Sequence, residues 1–365
     1  MKPGEVLAFG QFRRREQEQL AKAAEEASLA LRLLPTAKDA AEYLTDFTPQ
    51  ALLVDSHNKD AEQLCLEVRS HVTHTHTPII SLTRELDDLS FAEIFNWGGD
   101  DAVEMNSPRP LLTRMRMLPK EPPSPSSQQK GLAVVADTDR CRRLIRARVL
   151  RNAGYSIQFA VDADEVRELA AERARLVVLD AELEGSHELL REHAQHAPQT
   201  IHILLAPPRD LASHSHAAQA LRNVAITDGF APPENIVFLV NELERGGASD
   251  KRASRRLLYG TKVEYRGAGR DQGDIGYCYN ISEGGLYVRT LAPPEHEFVW
   301  LELMPPRTER RVHLEGEVVW RRPYGPSDCA TVPPGFGVKI VDATASDRAA
   351  WRAGYAHFAA ALGLN

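Results

Sequence analysis

Two short groups of residues in the last third of the chain have the types and spacing of an anion-and-purine site. Arg252 and Arg256 stand four apart in KRASRR, and Asn280, Ser282 and Gly285 form an Asn-x-Ser-x-x-Gly turn in YNISEGGLYV between two apolar runs. A guanidinium is a planar fork of donors that grips phosphate bidentately, pairs with the O6/N7 edge of guanine and stacks on a base face. Two of them suit a ligand with two phosphates and two guanines. The Asn carboxamide can donate and accept toward a base edge, the Ser hydroxyl is small and adaptable, and Gly lets backbone approach closely. A solvated basic linker followed by a β-turn is the plainer reading of the same residues. The two readings are compatible, because a rigid turn presents a base contact well.

Strands must position these residues. KVEYRG, DIGYCYNIS, GLYVRT, FVWLELM, RVHLEGEVVWRR and GFGVKIV alternate apolar and polar residues with period 2 and are separated by Gly/Pro turns, which predicts a small antiparallel barrel closing on itself. Trp320 and Arg321 end one of these strands, with Trp320 expected in the barrel core. From Ser346, expected as N-cap, a helix carries Trp351, Tyr355, Phe358 and Leu362 on one stripe and stops near Gly363; the stripe should pack on the barrel mouth or on a partner subunit. With Arg-x-x-x-Arg followed by Asn-x-Ser-x-x-Gly, then GEVVW at 316–320 and GFGVKI at 335–340, this third of the chain resembles the PilZ family of bacterial cyclic di-GMP receptors. The resemblance implies that Arg252 and Arg256 clamp the ligand, that Asn280 and Ser282 read a base edge, and that Gly285 lets the turn approach.

Upstream, strand and helix periods alternate twice over, which indicates parallel sheets covered on both faces. The first series runs VLAFG, Arg14 to Ala27, LALRLL, Ala37 to Phe47, ALLVD, Ala61 to Val72, PIISL and Asp88 to Trp97, with GGDDAVEM as entry to a fifth strand. After the Pro/Ser-rich KEPPSPSSQQK linker the pattern restarts with LAVVADTD, Arg140 to Asn152, YSIQFAV, Ala163 to Arg173, RLVVLD, IHILLAPP, Asn223 to Thr227 and Asn235 to Leu243. The expected architecture is two flavodoxin-like doubly wound α/β units, then the barrel with its C-terminal helix. The boundaries are 1–119, 120–130 (linker), 131–245 and 246–365.

Both α/β units resemble the receiver domain of response regulators. Asp55 and Asp180, at their strand ends, match its phosphoacceptor, and Thr83 matches its hydroxyl residue. The remaining chemistry is missing. Gly10 and Gln11 stand where an acidic pair should hold magnesium, and Met105 stands at the lysine position. In the second unit Asp137 survives beside Ala136, the hydroxyl position is Ala206 and the lysine position Ala231. Magnesium needs hard oxygen ligands, and without ion and lysine the phosphoryl-transfer charge is poorly stabilised. Pseudo-receivers are therefore expected, with strand-end roles for both aspartates; phosphorylation at Asp55 or Asp180 is the alternative.

A net charge of -7 argues against a general nucleic-acid binder, and 43% hydrophobic with 26% charged residues is a folded soluble composition. There is no run near the ~20 apolar residues needed to cross a bilayer, so a cytoplasmic protein is expected. Cys65, Cys141, Cys278 and Cys329 lie too far apart for a zinc motif, and His71, His74 and His76 lack a carboxylate or Cys cluster, so no metal is expected. No nucleophile set or Gly-rich phosphate loop argues for catalysis. The expected function is a non-enzymatic cyclic di-GMP effector without cofactor, the alternatives being a phospho-accepting response regulator and a docking scaffold whose PilZ barrel binds no ligand. Its ligand would reorient the barrel against the receiver-like units to control an unidentified partner protein, and those units are candidates for homodimer contacts. PilZ proteins are associated with motility, attachment and polysaccharide output.

Overall fold

The computed structural model describes residues 4–71, 73–119, 129–171, 173–211, 213–214, 221, 223–229, 231–245, 254–267, 273–324 and 332–362. The first unit runs β1 (Glu5–Phe9), α1 (Arg14–Glu26), β2 (Ala30–Leu34), α2 (Ala37–Asp46), β3 (Ala51–Asp55), α3 (Ala61–Ser70), β4 (Ile79–Thr83), α4 (Asp88–Asn96), β5 (Asp101–Glu104) and α5 (Pro108–Arg116). Its sheet is parallel in the order β2-β1-β3-β4-β5. The second unit runs β6 (Gly131–Ala136), α6 (Arg140–Asn152), β7 (Tyr155–Ala160), α7 (Ala163–Ala171), β8 (Leu176–Asp180), α8 (Ser186–His196), β9 (Ile201–Ala206), β10 (Val224–Asp228) and α9 (Glu234–Arg245). Its order, β10-β9-β8-β6-β7, repeats the first. This is the flavodoxin-like doubly wound arrangement. Alternate residues of β1 explain the layering: Val6 and Ala8 join one core cluster and Leu7 and Phe9 the other, so both faces are buried.

The closed barrel is made of β11 (Leu257–Gly267), β12 (Asp274–Ser282), β13 (Gly285–Arg289), β14 (Phe298–Leu303), β15 (Val312–Arg322) and β16 (Gly335–Ala343), in the order β11-β12-β13-β16-β15-β14, followed by α10 (Ala345–Ala361). All six strands foreseen by alternation are present. Trp351 of α10 is 2% exposed and belongs to the barrel core, with Tyr355 and Phe358 packed beside it. Leu362 leaves the stripe and is exposed, and Gly363 lies outside the described residues. The N-cap is Thr344 rather than Ser346, its hydroxyl accepting from the Asp347 N–H. Two helices were not foreseen. α5 carries Pro108 in its first turn, where a missing N–H costs nothing, and α8 follows an N-cap, Gly185, in the left-handed region (φ 77°).

The three units meet at Gly98-Gly99-Asp100-Asp101. Asp100 accepts from Arg69 (2.7 Å) and the Ile79 N–H (2.9 Å) within the first unit, and from Arg148 of α6 (2.8 Å) in the second. Asp101 accepts from Arg114 Nε (3.0 Å) and from the Leu291 N–H of the barrel (2.7 Å). Arg114 continues into the barrel, donating to both oxygens of Asp274 (2.6 and 2.5 Å) and to the Ile275 carbonyl (2.8 Å). From the barrel, Arg289 returns to the Gly99 carbonyl (2.9 Å) and to Glu234 of the second unit (3.0 Å), its guanidinium 3.5 Å from the Phe95 ring centroid. Burial alone would raise the Asp100 pKa, but Arg148 and Arg69 hold it below the ordinary range. Apolar contacts flank the clasp: Tyr277 packs on Phe91 and Phe95 of α4, and Tyr279 on Phe238 of α9. The barrel thus covers α4 and β5 of the first unit, so that face is not an open docking surface.

Removing one partner from a fully buried pair leaves an uncompensated charge, so Arg114→Met should cost about 3–5 kcal/mol of stability, read as a lowered urea midpoint of the full chain. An added Asp101→Asn should recover part of the loss. Burial also pushes His202 on β9 down to about 4. Its imidazole is neutral in the fold, so its contribution is full above the unfolded pKa of about 6.5 and is lost as pH falls toward 4, by up to about 3 kcal/mol. Urea midpoints measured from pH 7 to pH 4 should fall less in His202→Leu than in the parent.

Candidate ligand site and the receiver-like centres

Register brings Arg256, Asn280, Ser282 and Gly285 to one end of the barrel. Leu257 pairs with Ile281 and Leu258 with Asn280, which sets Arg256 opposite Ser282 at the start of β11. Ser282 faces Gly285 across the Glu283-Gly284 turn, its hydroxyl donating to the Gly285 carbonyl (3.2 Å). Gly285 has a packing reason of its own: a Cβ there would lie 2.2 Å from the Val338 carbonyl oxygen of β16. Arg256 is exposed, whereas Arg252 lies outside the described residues. Ser254 accepts from the Glu283 N–H (3.1 Å), so the described part of the arm is tied to the turn.

A β-bulge at Tyr279 decides where Asn280 points. Cys278 and Ile281 belong to the barrel core, while Tyr279 is turned outward onto α9, and Asn280 pairs with the outward Tyr287. Asn280 is 2% exposed, and its Nδ2 has no hydrogen-bond partner among the described residues. A buried orphan donor costs free energy unless something completes it. A second bulge, between Val318 and Trp320, corrects the expectation for Trp320: it is 47% exposed, with its ring 5.8 Å from that of Tyr287. The indole is thus an outer-face aromatic beside the Asn280 strand pair. Arg321 is engaged elsewhere, donating to the carbonyls of Pro294 (2.6 Å) and His296 (2.6 Å).

Neither receiver-like centre has the groups a receiver needs. In the first unit Gly10 (φ +145°) lies against Asp55, and a Cβ at residue 10 would sit 2.4 Å from the Asp55 Cβ. No carboxylate fits there. Thr83 donates to the Glu85 carbonyl (2.7 Å), and Met105 is buried in the core. In the second unit, Arg142 binds Asp137 through both oxygens (2.8 and 2.9 Å), Arg146 also donates to Asp137, and the two guanidinia lie 3.6 and 3.9 Å from Asp180. Burial opposes the charge on Asp137, but Arg142 and Arg146 hold its pKa down, whereas burial and the neighbouring Asp137 carboxylate push that of Asp180 up. The sequence signal was present, as Arg142 and Arg146 fall one helical turn apart just after Asp137. Among the described residues no group of three or more His, Cys, Asp or Glu side chains could hold a metal, and no helix is long and apolar enough to cross a membrane.

Residues 250–355 match the family model described as PilZ domain. This barrel is a PilZ domain. No curated protein matches the chain. Among solved structures, a putative response regulator from Chloroflexus aurantiacus J-10-fl is 24% identical, with 32% of this chain and 96% of that one covered and a TM-score of 0.30. A putative two-component system response regulator/GGDEF domain protein is 17% identical over 66% of this chain and 99% of that one, at a TM-score of 0.32. The inhibitor of motility MotI/DgrA of Bacillus subtilis is 19% identical over 31% and 53%, at 0.25.

In the PilZ barrel, Gly285→Ala should force β13 away from β16. The expected result is a lower thermal midpoint of the full chain, together with chemical-shift changes at Ser282 and Val338.

Proposed function

We propose that the chain is a non-enzymatic, cytoplasmic cyclic di-GMP effector. The observation that carries this reading is the convergence of Arg256, Ser282 and Asn280, whose amide nitrogen has no hydrogen-bond partner among the described residues, at one end of a barrel of the PilZ family, whose members bind cyclic di-GMP without catalysis. In this reading Arg252 and Arg256 clamp the phosphates and guanine faces, Asn280 completes its amide on a base edge, Ser282 adds a hydroxyl, and Gly285 keeps the turn close. Trp320 offers an aromatic surface beside them. No cofactor is needed.

The response travels along the β12–β13 hairpin. One end holds the ligand turn. The other holds Asp274, Tyr277 and Arg289, which engage the two receiver-like units. A ligand that shifts the hairpin shifts the balance of those contacts, which reorients the barrel relative to the units and changes the surface offered to a partner protein. In this reading the units serve as docking or homodimer modules rather than as phosphoacceptors, since a carboxylate at residue 10 has no room beside Asp55 in the first unit and the guanidinia of Arg142 and Arg146 occupy the acidic centre of the second.

Calorimetric titration of cyclic di-GMP into the full chain tests this directly. Binding is expected, with a loss of about 10- to 100-fold in Arg256→Ala and in Arg252→Ala, in line with ~1.5–3 kcal/mol for a hydrogen bond to a charged group. No binding by the parent chain overturns the reading.

A further inference from the structure

The C-terminal helix touches both halves of the ligand site. The Tyr355 hydroxyl donates to the Arg255 carbonyl (2.8 Å), in the peptide immediately before Arg256. One turn earlier, the Trp351 indole N–H donates to the Glu283 carbonyl (2.9 Å) in the Ser282–Gly285 turn, and Arg352 lies 3.5 Å from the Glu283 carboxylate. The Glu283 N–H in turn donates to Ser254 on the arm, so helix, turn and arm form a closed triangle. The helix is a firm base for it. Trp351 is buried in the barrel core, and a Cβ at Gly354 would lie 3.0 Å from the Pro306 carbonyl oxygen, so α10 is pressed against the loop after β14.

Resting on the proposed ligand reading, we infer that Tyr355 is a positioning residue for cyclic di-GMP binding. Its hydroxyl fixes the Arg255–Arg256 peptide beside Ser282, so that the Arg256 guanidinium is presented before the ligand arrives. An arm held in the bound conformation spares the ligand the ordering cost, about 0.5–1.5 kcal/mol per side chain fixed, which corresponds to about 2- to 12-fold in affinity. Tyr355→Phe keeps the ring packing and deletes only the hydroxyl.

Two readouts on the full chain test the inference. In calorimetry, Tyr355→Phe should weaken cyclic di-GMP binding by about 2- to 12-fold. The same substitution should have little further effect in an Arg256→Ala background, because it acts through that arginine. In limited trypsin digestion without ligand, mapped by mass spectrometry, cleavage after Arg255 and Arg256 should be several-fold faster in Tyr355→Phe, with an unchanged urea midpoint. Unchanged affinity with unchanged cleavage overturns the inference. So does an equal, additive loss in both backgrounds, which marks Tyr355 as general support for the barrel. If the parent chain does not bind cyclic di-GMP, the ligand reading fails and the positioning role falls with it; the digestion pattern then shows separately whether the hydroxyl restrains the arm.

Discussion

Two consecutive carboxylates hold the three units in one arrangement. Asp100 and Asp101 stand at the entry to β5, and neighbouring side chains on an extended strand point to opposite sides. One therefore faces Arg69 and Arg148, and the other Arg114 and the barrel backbone at Leu291. Each buried charge is matched by guanidinium and N–H donors, the condition under which a buried ion is tolerated. Arg114 and Arg289 then cross-link the same junction from opposite directions, so that the position of each unit depends on the other two.

The junction also explains why the barrel's outer face is so aromatic. Tyr277 and Tyr279 sit where a solvated barrel would carry polar residues, and each is spoken for, the first by α4 and the second by α9. The proposed ligand turn lies further along the same strand, beyond the bulge. A single hairpin thus spans from the proposed ligand turn to the joint with no flexible connector between them.

Much of this was legible in the sequence and some was not, for identifiable reasons. Buried parallel strands such as ALLVD and RLVVLD announce themselves by unbroken apolar runs, and the six barrel strands by alternation. The motif residues Arg256, Asn280, Ser282 and Gly285 fall together because register follows from those strands. Alternation failed at the bulges: counting by twos from buried Val318 puts Trp320 inside, whereas the extra residue turns it out. It likewise hides the outward turn of Asn280 after Cys278. The clasp was invisible for another reason. Asp100 and Asp101 look like a polar strand entry, and their partners lie as far as 48 and 190 residues away. The arginines that fill the second receiver-like centre could have been found by helical spacing, since their partner Asp137 is only 5 and 9 residues upstream.

The contact between Gly10 and Asp55 limits redesign as well as chemistry. With glycine at residue 10 the backbone lies close against that aspartate, so any side chain placed there meets an occupied space. Installing a carboxylate at residue 10 therefore demands a coordinated retreat of β1's exit loop, not one codon change.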